Sequence, residues 1–341
     1  MKIVFRTDSS IKMGAGHLMR CFTLADELNK QNHQITFICR NLTGNLISLL
    51  EKKKYKVIII PVVHNFTTNN IYLEWLGATQ KYDAEQTIRV LPKNVDLLII
   101  DSYALDEIWH QRLRKFTKKI MVIDDLADRS FDCDILLNQN LGAQIKKYKG
   151  RVSNECELLL GCDYALLRSE FPNLREIALE KRKNTKVVKN ILISLGGIDE
   201  HNKTYDILKE IPDDLNIVVV LGMASLYNEM IKKYTMNKEN IKIIVGADNM
   251  AELMLNADLA IGAGGSTSWE RCCLGLPTLL YITANNQKPI AGNLEQIGAV
   301  KIVSNLKDDL HNILNNFSIW QFMSKRAQTV CDGLGVKRIR V

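Results

Sequence analysis

Short apolar runs recur along the chain, and each is followed by a longer segment in which apolar residues repeat with helical spacing. Runs rich in Ile, Val and Leu are typical of parallel strands that are covered by helices on both faces. In the first half they predict strands at residues 2–5, 34–39, 57–62, 96–100 and 120–123. Strands that alternate with helices in this way form a βαβ lobe.

The same alternation begins again in the second half of the chain. It predicts strands at residues 191–195, 217–221, 241–245, 259–261 and 278–281. Between the halves, residues 132–168 are less regular, and residues 167–190 are helical and then heavily charged, as in an interdomain connection. We therefore predict an α/β fold with parallel sheets in two Rossmann-like lobes, residues 1–185 and 186–341, with an interdomain cleft.

Composition and charge narrow the class of protein. Of the 341 residues, 46% are hydrophobic and 24% are charged, which excludes general disorder. The net charge of +7 comes from scattered basic residues, so we expect no nucleic-acid partner. No stretch approaches the ~18 apolar residues of a spanning helix, and charged residues interrupt the first apolar run, unlike a signal peptide. We expect a cytoplasmic protein with no stable membrane insertion.

The eight cysteines form no CxxC pair and have no histidine cluster beside them. We interpret them as reduced core thiols, and we expect neither a metal site nor a cofactor. The chain contains no GxxxxGK[ST], HExxH or GxSxG pattern, which argues against P-loop enzymes, zincins and α/β-hydrolases. Outside the first loop the histidines are scattered singly, and we interpret them as surface or capping residues: His33, His64, His110, His201 and His311.

The loop after the first predicted strand is rich in glycine and charge. Glycines let a backbone approach a ligand closely, and the start of the following helix suits anions. Histidine titrates near physiological pH, so the histidine of this loop can act as a base or simply cap the turn. Its charged neighbours favour a functional site over a structural turn. The residues concerned are Arg6, Asp8, Gly14, Gly16, His17 and Arg20.

Carboxylates also close two further predicted strands of the first half. Asp101 ends one strand, with Tyr103 close behind it, and Asp124 and Asp125 end the next. Such side chains either point toward a ligand or cap the following helix. For Asp124 and Asp125 we favour capping or internal pairing. For Asp101 and Tyr103 both interpretations stay open, since a tyrosine hydroxyl there could reach a substrate.

In the second half, two glycine-rich loops follow predicted strands. Gly196 and Gly197 either expose amides to a phosphate or form an ordinary turn. In the other loop, Gly265, Ser266 and Thr267 stand where a helix begins, so amides, hydroxyls and the helix dipole converge on anionic oxygens.

Two further features of the second half suit a nucleotide. Glu270 follows one helical turn after the second glycine-rich loop and can accept hydrogen bonds from vicinal hydroxyls, such as a ribose diol. Asn286 and Gln287 follow the last predicted strand. This ordered set of residues favours a binding site over isolated structural roles.

These motifs resemble those of a known group of enzymes. A GxGH-type loop in the first half and a GGSTSWE…GLP block in the second resemble the GT-B nucleotide-sugar enzymes, which include the UDP-N-acetylglucosamine transferase that makes lipid II. Over nearly the whole chain, the sequence is similar to the UDP-2,4-diacetamido-2,4,6-trideoxy-β-L-altropyranose hydrolases of pseudaminic acid biosynthesis. The similar stretches include FRTDSSIKMGAGHLMRCFTLADEL, IDDLADR, CDILLNQN, GCDYALLRSEF, ISLGGID and GAGGSTSWERCCLGLP.

The resemblance implies that water cleaves the bond between the anomeric carbon of the sugar and UDP, with inversion and without a metal, in flagellin or surface glycan biosynthesis. It implies that His17 activates or orients the water, that Tyr103 lies near the sugar, and that Glu270 and Asn286 serve the nucleotide. Residues 63–80 are part of an insertion relative to the family. The predicted substrate-binding residues are Arg6, Asp8, Gly14, Gly16, Arg20, Tyr103, Gly196, Gly197, Gly265, Ser266, Thr267, Glu270, Asn286 and Gln287.

Other functions fit the same motifs. A GT-B glycosyltransferase would use a sugar or lipid hydroxyl in place of water, and a 2-epimerase would act on a related UDP-sugar. A nucleotide-sugar-binding protein without turnover is the remaining alternative, although His17 in a loop framed by glycines argues against it. The expected partner is a small-molecule UDP-sugar, and transient contact with other enzymes of the pathway is left open.

Overall fold

The apolar runs form two sheets in which all paired strands are parallel. The computed structural model describes residues 1–223 and 225–341. The chain divides into two compact units. The first unit comprises Met1–Leu166 and Val336–Val341, and the second comprises Leu167–Gly335.

The first unit contains a seven-stranded sheet in the order β3-β2-β1-β4-β5-β6-β7. Its elements are β1 (Lys2–Thr7), α1 (Gly16–Lys30), β2 (Gln34–Arg40), α2 (Ile47–Lys52), β3 (Lys56–Ile60), α3 (Ile71–Leu76), α4 (Gln80–Val90), β4 (Val95–Asp101), α5 (Glu107–Arg114), β5 (Thr117–Ile123), β6 (Ile135–Asn138), α6 (Ile145–Tyr148), β7 (Glu157–Leu160) and a short 3₁₀ helix at Cys162–Tyr164.

Alternate residues of the first strand explain why this sheet is buried on both faces. Ile3 and Phe5 pack with Leu18 of α1 in one apolar cluster, whereas Val4 packs with Trp109 in the cluster on the opposite face. Successive side chains of a strand point to opposite faces, so a strand that is apolar throughout needs helices on both sides.

The second unit contains a six-stranded sheet in the order β10-β9-β8-β11-β12-β13. Its elements are α7 (Glu170–Asn184), β8 (Asn190–Ser194), α8 (Lys203–Glu210), β9 (Asn216–Leu221), α9 (Asn228–Thr235), β10 (Ile241–Val245), α10 (Met250–Asn256), β11 (Leu259–Ala263), α11 (Thr267–Cys273), β12 (Thr278–Tyr281), a 3₁₀ helix at Asn285–Gln287, α12 (Lys288–Gln296), β13 (Val300–Ile302), α13 (Leu306–Asn315) and α14 (Phe317–Ala327), and α15 (Gly335–Arg338) follows near the end of the chain.

Every predicted strand is present, and the α/β prediction is confirmed. The sequence analysis did not predict β6, β7 and β13. These strands have only three or four residues, too few to show a period that separates a strand from a loop.

The division between the units differs from the predicted one near residue 185. The charged helix α7 belongs to the second unit, because Phe171 and Ala178 are buried there and the buried Arg182 donates to the carbonyl oxygens of Met254 and Ala257. After the second unit, the chain returns to the first, where Val336 and Ile339 pack into the core. No helix in the described part of the chain is long and apolar enough to cross a membrane.

Candidate active site

In the first unit, the strand order reverses between β1 and β4, since the chain continues from β1 to β2 on one side and places β4 on the other. Ligands of open parallel sheets bind at the carboxyl ends of the strands at such a reversal. His17 is the second residue of α1, which follows β1, and Asp101 is the last residue of β4. Residues 84 positions apart in sequence therefore meet at this edge.

The imidazole of His17 is fixed by one short hydrogen bond. Its Nδ1 lies 2.6 Å from Oδ1 of Asp101. A carboxylate can only accept, so a proton lies on Nδ1, and the neutral form of the ring then carries its lone pair on Nε2. Among the residues that the structure describes, no hydrogen bond of the ring involves Nε2. The pair presents one basic nitrogen to a ligand.

Arg20 holds the carboxylate that orients His17. Its Nε and Nη2 donate to the two oxygens of Asp101 at 2.6 and 2.7 Å, and Nη1 donates to Asp125 at 2.5 Å. Asp125 also accepts from the hydroxyl of Tyr103 at 2.8 Å. We call these five residues the histidine cluster: His17, Arg20, Asp101, Tyr103 and Asp125. The expectation of internal pairing at Asp125 is confirmed.

Burial and charge act in opposite directions on Asp101. Burial alone would raise the pKa of its carboxyl, but the charges of Arg20 and His17, and hydrogen bonds from both, hold that pKa well below its usual range. Burial and the neighbouring Asp125 raise the pKa of Tyr103. Asp101 is therefore an anion at neutral pH, and Tyr103 is protonated.

Arg6 and Asp8 lie apart from this group. Arg6 is 0% exposed and Asp8 is 1% exposed, and Arg6 Nη1 lies 2.7 Å from Asp8 Oδ2. Arg6 Nη2 also donates to Asp83 at 2.5 Å, and Arg40 Nη2 donates to the same oxygen at 2.6 Å. We call Arg6, Asp8, Arg40 and Asp83 the buried ion cluster. Arg6 and Asp8 have no surface for a ligand, so their prediction as substrate-binding residues is corrected.

In the second unit, the strand order reverses between β8 and β11, and both glycine-rich loops follow these strands. The loop after β11 leads into α11 at Thr267. In the part of the chain that the structure describes, the N–H groups of Gly265, Ser266 and Thr267 donate to no protein acceptor. Consecutive unpaired N–H groups at such a turn are suited to anionic oxygens.

Glu270 lies on α11 beyond these amides. Burial raises its pKa to about 6, and the opposing charge of Arg168, whose Nη2 lies 3.6 Å from Oε1, is too distant to lower it to the usual value. The carboxylate keeps some exposure and has no close bidentate partner. It can accept hydrogen bonds from a ligand and titrates near neutrality.

The other predicted residues of the second unit also lie at this edge. Gln287 Oε1 accepts from the N–H of Gly264 at 3.3 Å, so it links the loop after β12 to the loop after β11. Asn286 beside it is exposed. Gly196 and Gly197 are exposed after β8, but Asp199 accepts from the N–H groups of α8 and so occupies that helix start.

Comparisons with known proteins bear on the fold and on the second unit. Residues 198–324 match the family model of the glycosyltransferase family 28 C-terminal domain. MurG of Acinetobacter baumannii has a similar structure, with a TM-score of 0.65 and 15% identity, over 98% of this chain and 97% of that one. The chain has the GT-B fold.

Two relatives extend the comparison to sequence. The GT-B chain is 34% identical over 292 residues to an uncharacterised protein of Methanocaldococcus jannaschii, covering 82% of this chain but only 55% of that protein. The chain thus spans about half the length of this relative. It is 29% identical over 300 residues to the UDP-2,4-diacetamido-2,4,6-trideoxy-beta-L-altropyranose hydrolase of Campylobacter jejuni, covering 87% of this chain and 97% of that enzyme. The resemblance predicted from the motifs is confirmed.

Sequence analysis of this GT-B protein missed several groups beside His17. The role of Asp101 was left open, and the internal pairing expected for Asp125 did not indicate that its partner is Arg20 beside His17. Their position at strand ends, next to the reversal of strand order, could have indicated these residues. Arg20, which lies one helical turn after His17, is a second indication. Asn140, which donates to Asp125 at 3.0 Å, gave no signal in the sequence.

One histidine prediction was wrong. His110 is 0% exposed and stacks on Phe131, and burial lowers its pKa to about 3. It is therefore a neutral core residue of the GT-B protein and not a surface or capping residue. In the described ranges, no group of three or more His, Cys, Asp or Glu side chains is arranged to hold a metal ion.

Proposed function

We propose that the protein hydrolyses UDP-2,4-diacetamido-2,4,6-trideoxy-β-L-altropyranose to UDP and the free sugar, with inversion at the anomeric carbon. The observation that carries the proposal is the His17–Asp101 pair, which leaves Nε2 of His17 available at the strand ends of the first sheet. The relative from Campylobacter jejuni, which is aligned over 97% of its length and carries this name, supports it.

In the proposed reaction, Nε2 of His17 takes a proton from a water molecule. The water oxygen bonds to the anomeric carbon as the bond from that carbon to the UDP oxygen breaks, and the electron pair leaves with UDP. Asp101 stays ionised and stabilises the imidazolium that forms. General base catalysis of this kind is typically worth about 10²- to 10⁴-fold in rate.

The second unit would bind the leaving group. The unpaired N–H groups of Gly265, Ser266 and Thr267 are donors for the diphosphate, whose negative charge grows as the bond breaks. Glu270 would accept from the ribose hydroxyls, and Asn286 would serve the nucleotide with its exposed amide. Further donors in the proposal are the exposed amides of Gly196 and Gly197.

Tyr103 would contact the sugar in a restricted way. Its hydroxyl proton is already donated to Asp125 at 2.8 Å. With that proton committed, the oxygen can only accept a hydrogen bond, for example from an acetamido N–H or a sugar hydroxyl. This predicts that Tyr103 prefers a donor on the substrate.

Glycosyl transfer is the second candidate, and one observation favours it. The family model that matches residues 198–324 describes a glycosyltransferase domain. A transferase would use the same UDP-binding residues, but the hydroxyl of an acceptor would replace water at His17. The two functions therefore differ in the nucleophile.

The deciding experiment is incubation of the protein with the UDP-diacetamido sugar in the absence of acceptor and metal, followed by proton NMR of the sugar. Release of UDP with an inverted free sugar supports hydrolysis. A C2 epimer would indicate an epimerase. Binding of the UDP-sugar by calorimetry without UDP release would contradict hydrolysis and favour a transferase that needs its acceptor, or a binding protein.

A further inference from the structure

Two aromatic side chains of α3 lie beside the histidine cluster. The ring of Tyr72 is 5.4 Å from the ring of Tyr103, and the ring of Trp75 is 6.3 Å from it. Tyr103 in turn contacts the ring of His17 edge-on at 4.5 Å. We call Tyr72, Trp75 and Tyr103 the aromatic wall. It begins at the ring that touches His17.

The short helix α3 holds these rings in defined positions. The side chain of Asn70 caps its start by accepting from the N–H groups of Tyr72 and Leu73 at 2.9 and 3.1 Å. At its end, Gly77 has a φ of 70°, which favours glycine, and its N–H donates to Leu73. Leu76 is fully buried and anchors the helix on the core. The wall is part of a capped element and not of a loose loop.

The wall is also joined to the loop that carries the glycines before His17. Lys12 of that loop forms an ion pair with Glu74 of α3. Both side chains are exposed, so the pair contributes little to stability. It does place α3 next to the loop that leads to the proposed catalytic residue.

The wall presents aromatic surface to solvent. Trp75 is partly exposed, whereas Trp109, Trp269 and Trp320 are at most 1% exposed. Tyr72 is partly exposed as well. Aromatic surface next to a few convergent polar groups is typical of a small-molecule site.

We propose that the aromatic wall binds the apolar substituents of the sugar, namely the methyl at C6 of a 6-deoxy sugar and the methyl of an acetamido group. This inference rests on the proposed function, because it requires the sugar to lie at His17. A sugar with a hydroxymethyl group at C5 would turn a hydroxyl toward ring faces that offer poor hydrogen-bond acceptors. The wall thereby selects N-acetylated 6-deoxy sugars over hydroxylated ones.

The first test uses Trp75 as a reporter of sugar binding, in a His17→Ala background in which substrate should persist. Acrylamide quenching is measured with UDP alone and with the UDP-diacetamido sugar. Because the other tryptophans are buried, quenching should report Trp75. We expect the UDP-sugar to protect Trp75 more than UDP does, and Trp75→Phe to abolish the difference. Equal quenching with saturating UDP and UDP-sugar would overturn the proposal.

The second test measures selectivity. Trp75→Leu and Tyr72→Leu are compared with Tyr82→Leu, an exposed tyrosine of α4, as the matched control. Discrimination by an apolar pocket for one methyl group is roughly 10- to 200-fold. We expect the kcat/KM ratio between the UDP-diacetamido sugar and UDP-N-acetylglucosamine to fall at least about tenfold in the wall variants, with UDP affinity unchanged.

The outcomes of these tests distinguish failure of the aromatic-wall proposal from failure of the proposed hydrolysis. An unchanged ratio in both wall variants would refute the wall while leaving hydrolysis intact. If the wild type releases no UDP from any UDP-sugar, the proposed hydrolysis fails. The quenching test then decides the wall alone, because it needs sugar binding but no turnover.

Discussion

The buried ion cluster and the histidine cluster both lie near the carboxyl end of β1, but their charges are balanced differently. The buried ion cluster contains two arginines and two aspartates, and all four side chains are at most 1% exposed. The histidine cluster contains one arginine and two aspartates, with the imidazole of His17 beside them. The formal charges of the first cluster sum to zero, whereas the arginine and the two aspartates of the second leave one negative charge in excess.

This difference shows that the same residue types, arginine and aspartate, can stabilise the fold in one cluster and take part in chemistry in the other. A fully buried group with balanced charges offers no surface and no excess charge to a further proton or ligand. In the histidine cluster, a proton on Nε2 of His17 would supply the missing positive charge next to Asp101 and Asp125. The cluster is therefore arranged to receive the proton that the proposed hydrolysis releases from water.

The largest effect is expected from His17→Ala. Loss of the base should lower kcat by about 10²- to 10⁴-fold, while the melting temperature and the affinity for UDP stay near those of the wild type. Steady-state kinetics, calorimetry with UDP and a thermal melt test this together. His64→Ala, at an exposed histidine, is the control. Normal turnover in His17→Ala would remove the histidine cluster from the mechanism.

Asp83→Ala should act on stability instead. Removing it leaves Arg6 and Arg40 buried without their shared partner, and breaking a buried ion pair costs about 3–5 kcal/mol. Denaturant unfolding should show this loss, whereas Asp213→Ala, at a side chain that is 85% exposed, should change little. If Asp83→Ala kept its stability but lost turnover, the buried ion cluster would belong to the chemistry, and the comparison would fail.

The same cluster predicts a pH dependence. Burial alone would raise the pKa of Asp83, but Arg6 and Arg40 lower it below the usual value. Because the folded-state pKa is the lower one, this stabilisation is complete above the unfolded value of about 3.9 and is lost as the pH falls below it. Acid unfolding that begins at the same pH in wild type and Asp83→Asn would contradict this assignment.

Asp101→Asn tests whether the carboxylate positions His17. An amide at this position can donate to Nδ1, which would move the imidazole proton to Nε2 and remove the basic nitrogen. We expect kcat to fall on the order of 10²-fold with KM little changed, as for a misplaced catalytic group. A change in KM alone would show that Asp101 acts in binding.

The sequence was sufficient to predict the doubled architecture and ten of the thirteen strands in the described part of the chain, and it singled out the loop before His17 and the glycine-rich loops. It was not sufficient to separate Arg6 and Asp8 from the site. Both lie between the first predicted strand and His17 in sequence, but Arg6 belongs to β1 and pairs with Asp83, which is 77 residues away on a separate helix. Local patterns carry no information about such a distant partner.

For the aromatic residues of α3, local patterns failed in the other way: they did not indicate residues that the structure places beside the histidine cluster. Tyr72 and Trp75 lie in residues 63–80, which the sequence identified only as an insertion. Their approach to Tyr103 depends on how α3 packs on the sheet, because Leu76 is anchored in the core while Trp75 is partly exposed. The spacing of apolar residues in a six-residue helix is too short to predict which face is buried.

Glu270 extends the comparison to the second unit and gives the smallest expected effect. Close arginines lower the pKa of Asp83, whereas burial raises the pKa of Glu270 to about 6. If Glu270 accepts from the ribose, UDP should bind more tightly as the pH rises from 5 to 7, since a carboxylate accepts more strongly than a neutral carboxyl. The difference between such hydrogen bonds is about 1 kcal/mol, or roughly fivefold in Kd.

Calorimetry of UDP binding at pH 5, 6 and 7 would measure this effect, with Glu270→Gln as the matched variant, because UDP itself also changes ionisation in this range. The wild type should gain affinity over the variant as the pH rises, and the two should converge at pH 5, where Glu270 is mostly protonated. The ionisation of Glu270 also changes the stability of the fold, with a separate dependence on pH. A carboxyl whose folded-state pKa is raised stabilises the fold below its unfolded pKa, and this contribution is lost as the pH rises through about 6. Parallel affinity curves for the two proteins would place the ribose elsewhere.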